Sequence, residues 1–123
     1  MTTPNPFHGS WRITSMELWD QDAMDMEVPA FIEFAADGSG RFQFILVQGH
    51  LDCRYELSAE RAVVRFTWEG NDEMDEAHGR GWARLTRSGG LHGRIFFHGG
   101  DDSSFKATRV STAPRPAPRA TRR

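Results

Sequence analysis

The chain has 123 residues, 38% of them hydrophobic, with 15 basic against 17 acidic side chains and a single cysteine. That length makes one domain with enough core to fold without disulfides or a structural metal, and the lone Cys53 supplies neither a bridge framework nor a metal cluster. No stretch approaches the ~20 apolar residues of a membrane span and the segment from Met1 to Ser10 has no signal-peptide core, so the expectation is a cytoplasmic protein with no membrane partner.

Eight short segments of alternating apolar and polar residues follow one another, at 11–18, 30–35, 40–47, 50–57, 61–69, 80–87, 91–98 and 103–110. The alternation is clearest in the fourth and fifth. Leu51, Cys53, Tyr55 and Leu57 share one face opposite Asp52, Arg54 and Glu56, and Ala62, Val64, Phe66 and Trp68 oppose Val63, Arg65, Thr67 and Glu69. Most links are short turns: Asp37-Gly38-Ser39-Gly40, Gly49-His50, Ser58-Ala59-Glu60, Ser88-Gly89-Gly90 and Gly99-Gly100-Asp101-Asp102. Two are longer: Trp19 to Pro29, where Ala23, Met24 and Met26 suit a short covering helix that Val28-Pro29 ends, and the acidic stretch Gly70 to Gly79.

Such links force sequential neighbours to pair, and a meander of eight strands removes both of its free edges by closing. The expected fold class is therefore all-β: an eight-stranded antiparallel up-and-down meander closed into a small barrel over residues 1–110, with a short helical or loop lid after the first strand. A half-open sheet or sandwich of the same strands is the alternative. The Pro- and Arg-rich tail, 111–123, has nothing to bury and is expected to be disordered. Setting aside its Arg115, Arg119, Arg122 and Arg123 leaves 11 basic against 17 acidic side chains, an acidic body that repels phosphate backbones, so no nucleic-acid partner is expected.

Gly9-Ser10-Trp11 at the start of the first strand and Arg109 near the end of the last give the chain a feature that resembles the lipocalin and calycin barrels. The resemblance implies a β-barrel in which Arg109 packs across the Trp11 ring at the closed end; the chain is shorter than a typical member and has no long helix after the barrel. A guanidinium on an indole is worth about 0.5 to 2 kcal/mol and seals a barrel end without drying the charge. The Trp-Asp, Trp-Glu-Gly, Gly-Arg-Gly-Trp and Gly-Asp-Asp-Ser elements also look like those of a group of small bacterial proteins, a likeness that implies no activity.

In an antiparallel meander the odd-numbered links share one end, which gathers the Trp19 segment, the Glu69 to Gly79 loop and the His98 turn there. The expected ligand site is a pocket at that mouth formed by Trp19, Tyr55, Trp68, Glu69, Trp82 and His98, taking a small hydrophobic or aromatic molecule between indole faces. An alternative is an enzyme in which His98, Asp101, Asp102 and Glu69 form a rim acid/base or metal site. A second alternative is self-association, as a homodimer, through outward apolar residues Ile45, Val47, Val63, Leu85 and Phe96. Asp20, Asp22 and Asp25 lack the glycine and glutamate of a calcium loop, and no Gly-x-Ser-x-Gly, phosphate loop, Cys-x-x-Cys or His-Glu-x-x-His occurs. No cofactor, resident metal or catalytic residue is assigned on these grounds.

Overall fold

A computed structural model describes residues 5–111. Eight strands, β1 (Gly9–Met16), β2 (Phe31–Phe34), β3 (Ser39–Phe44), β4 (Val47–Leu57), β5 (Ala62–Asp72), β6 (Asp75–Leu85), β7 (Leu91–Phe97) and β8 (Asp102–Ser111), form an antiparallel meander. Strand β1 pairs with β8 in a register that includes Trp11 opposite Arg109 and Met16 opposite Phe105, so the sheet closes into a barrel. One helical turn, α1 (Gln21–Met24), follows β1. Asp20 caps it, accepting a hydrogen bond from the Ala23 amide at 3.0 Å. The tail, from residue 112 onward, lies outside the described residues.

The sequence reading is corrected most at two hairpins and at the first strand. Gly49-His50 is not a turn but part of β4, where Gly49 faces Phe42 across the ladder; the chain reverses earlier, at Ile45-Leu46. The stretch 70–79 is not a loop either. Strands β5 and β6 continue in register to Asp72 opposite Asp75, leaving only Glu73-Met74 to turn. Both turns begin on a non-glycine residue in the left-handed region, Ile45 (φ 55°) and Glu73 (φ 61°), so neither carries the glycine or asparagine that marks a tight hairpin. The first strand begins at Gly9 rather than at Trp11.

The inner wall is dominated by aromatic rings. Phe34, Phe42, Phe44, Phe66, Trp68 and Phe105 are buried inside, with Ile13, Ile32, Leu51, Leu91 and Ile95 between them. Large rings fit because small residues face them. A Cβ on Gly49 would lie 2.6 Å from the Phe42 ring and 2.9 Å from Trp68, and one on Gly81 would lie 2.5 Å from Phe66. At those contacts the rings occupy the space that any other side chain would need.

The two ends are sealed differently. At one end Arg109 lies 4.1 Å over the Trp11 ring and donates to the His8 carbonyl at 2.9 Å, while Phe7 packs beneath against Phe34 and Tyr55. At the other end α1 inserts the fully buried Met24, whose carbonyl accepts from the Ile45 amide, and Trp19 covers Phe44. Arg12 holds this cap by two bonds to Asp25, of 2.9 and 2.7 Å.

Candidate functional site

The six residues expected at the odd-link mouth do not line one cavity. Trp19 caps that mouth, and Trp68 is buried below it between Phe42 and Phe97, its Nε1 donating to the Phe96 carbonyl. Tyr55 points inward near the opposite end, against Phe7 and His8, because β4 runs from the odd-link mouth toward the Trp11 plug. Trp82 points outward, since Gly81 and Ala83 take the inward positions of β6. Glu69 and His98 are exposed on the outer wall.

The rim set is brought together only in part, Glu69 being the cross-strand neighbour of His78. The His98 ring stacks on His78 with centroids 4.6 Å apart, and Asp102 is bound by Arg94. Among the described residues no three His, Cys, Asp or Glu side chains are placed to hold one metal ion. Other paired carboxylates are structural: Glu33 is buried with Ser10 and Arg41, and Asp25 secures the cap. Of the residues expected to be exposed apolar surface, Val47 and Leu85 face the core and Val63 is buried.

Space is found on the outer wall instead. Cross-strand register places Asp52, Thr67, Arg80 and Phe96 in one row and Arg54, Arg65, Trp82 and Arg94 in the next. Between the rows lies an open groove of about 520 Å³, with Phe66 and Gly81 at its floor. Arg54 and Arg65 are direct cross-strand neighbours, an arrangement of like charges that disfavours the sheet. Each borrows a carboxylate from elsewhere, Arg54 from Asp52 at 2.6 Å and Arg65 from Glu56 at 3.1 Å. Arg80 has no ion-pair partner among the described residues and lies 4.3 Å over the Phe96 ring. At the groove's far side the Trp82 ring meets His92 edge to face, and burial together with Arg84, Lys106 and Arg94 holds that imidazole below its ordinary pKa.

The groove thus combines two aromatic faces, the Thr67 hydroxyl and three guanidinium groups against one carboxylate. Such a surface can stack a flat ring and neutralise an acidic substituent on it. Sequence reasoning passed over Arg54, Arg65 and Arg80 as site residues and took Phe96 only as outward apolar surface. A signal was present, since the alternation put Arg54 and Arg65 outward on strands joined by a short turn and hence beside each other. No family model, curated protein or solved structure matches the chain.

Proposed function

We propose that this barrel binds a flat, anionic small molecule on its outer wall, in the groove between Arg54, Arg65, Arg80 and Trp82. The observation that carries the reading is the Arg54–Arg65 pair flanked by Trp82: a local conflict of charge that an anion relieves, next to a ring on which an aromatic ligand stacks. A binding role agrees with the class of function expected from the sequence, while the hydrophobic pocket is replaced by a polar and aromatic groove, because the inner wall is occupied by the protein's own rings. The Trp11–Arg109 stack supports the likeness in construction to lipocalin and calycin barrels, with the ligand outside rather than within.

The test is titration with aromatic carboxylates and nucleoside monophosphates, each beside its uncharged counterpart, read by amide and indole shifts in NMR and by tryptophan fluorescence. Saturable binding of the anions, with shifts at Arg54, Arg65 and the Trp82 indole and loss on Trp82→Ala or Arg65→Ala, is the expected result. Absence of saturable binding, or equal binding of the uncharged counterparts, overturns the reading.

A further inference from the structure

The groove has a complement on the same wall. Along the ribbon formed by β5 and β6, the outward charges are Arg65, Arg80 and Arg84 toward one end and Glu69, Glu73 and Glu76 toward the other, where Asp72 and Asp75 alternate to the opposite face of the same tip. None of those five carboxylates enters an ion pair among the described residues. The acidic end finishes in Met74, an apolar side chain 92% exposed to solvent. Arg65 and Asp72 are seven residues apart on one extended strand, about 23 Å at the usual rise, so the tip cannot reach the groove of its own chain.

Turned end for end, two such faces match. We propose that two copies of this chain form a dimer in which the acidic tip of each lies in the arginine groove of the other. A two-fold axis runs across the strands near the Glu69–His78 pair, bringing Glu73 and Glu76 opposite Arg65 and Arg80 and seating the Met74 thioether against Trp82 and Phe96. Because the same two patches meet twice, the contact closes on itself and builds a pair rather than a filament. The dimer does not depend on the groove taking a small molecule, but it covers the same groove, so an anionic ligand and the second copy compete.

Sedimentation equilibrium of the full chain at low ionic strength is expected to show a dimer that dissociates at high salt. Arg65→Glu with Arg80→Glu makes groove and tip both acidic, and Glu73→Arg with Glu76→Arg turns the two tip positions that meet the groove basic, like the groove itself. Each double variant alone is expected to bind itself at least tenfold more weakly, and an equimolar mixture is expected to recover a heterodimer, since each groove then meets a tip of opposite sign. Recovery on mixing also shows that both variants are folded, and far- and near-ultraviolet circular dichroism checks each alone. A wild-type chain that stays monomeric at low salt, variants that dimerise as well as wild type, or a mixture of folded variants that stays monomeric overturns the proposal. The Glu73→Arg, Glu76→Arg variant keeps its groove open, so anion binding measured on it stands or falls separately from the dimer.

Discussion

The inner and outer walls of this barrel obey opposite rules. Inside, Gly49, Gly81 and Gly93 each have a large ring leaning on them, as Gly49 has Phe42 and Trp68, and close packing there makes the wall intolerant of change. Outside, across β4 to β7, like charges oppose each other and Arg80 has a ring but no carboxylate, which costs stability and leaves binding capacity unspent. The difference separates what the fold requires from what it leaves available, and the proposed binding surface lies where the local rules are broken.

The sharpest way to break that comparison is to truncate one tryptophan from each wall. Trp68→Ala empties the space between Phe42 and Phe97 and removes the indole bond to the Phe96 carbonyl, so a loss of about 3 to 5 kcal/mol is expected in urea unfolding. Trp82→Ala is expected to cost under about 1 kcal/mol and to abolish anion binding, because its ring packs on the outer face alone. If the two variants lose equal stability, the division between walls fails. Gly49→Val tests the same point from the other side: the added methyl groups enter space held by two rings, with an expected cost of about 1 to 3 kcal/mol.

Next in size is the cap at the helical end. Arg12→Ala removes both bonds to Asp25 and is expected to lower stability by about 1 to 2 kcal/mol, at the lower end of what charge-assisted bonds contribute because the pair is part-exposed. The Arg12 guanidinium, with the Ala30 amide and Gln21, holds the Asp25 carboxyl well below the ordinary carboxylate range. A lowered pKa in the folded state means that this stabilisation is present above about pH 3.8, the unfolded value, and fades as the pH falls below it. Wild type and Arg12→Ala should therefore converge in stability in acid, and parallel curves through that range would show that the pair is not the latch. Inside the opposite half of the barrel, burial pushes the Cys53 thiol up to about 11. It should react with a disulfide reagent at pH 8 only on the timescale of unfolding, and fast labelling would mean an inner wall that is open there.

Strand number, order, closure and the capping turn were legible because they rest on period-two alternation and on Asp, Gly and Ser in the links. The Trp11–Arg109 stack was legible through the resemblance that Gly9-Ser10-Trp11 and Arg109 carry. What escaped were the two hairpins that reverse at Ile45-Leu46 and Glu73-Met74, where the turn uses a left-handed residue without glycine and tertiary pairing overrides local preference. Their loss shifted the perceived ends of β4, β5 and β6, turned a long ribbon into an imagined acidic loop, and drew Trp82 into a pocket it faces away from. The site itself depends on register across four strands. Single-strand patterns show which side chains point out, and only the ladder shows that Arg54, Arg65 and Trp82 share a row.

The smallest expected effect lies in the charges of the outer wall. His92 sits outward beside Arg84 and Lys106 and touches the Trp82 ring at 5.8 Å between centroids; burial and then those cations hold its pKa below the ordinary 6.5. The unfolded chain therefore takes up this proton first as the pH falls, so stability present above about pH 6.5 declines below it until the folded imidazole is also protonated. His92→Gln should flatten the decline of stability below about pH 6.5, the ordinary imidazole value. An anion seated beside Trp82 offsets the same cations, so the His92 resonance, followed by NMR titration, should shift to a higher pKa when ligand is bound. An imidazole whose titration ignores the ligand would place the bound charge away from Arg94 and Trp82, and with it the groove's polarity would have to be redrawn toward Arg54.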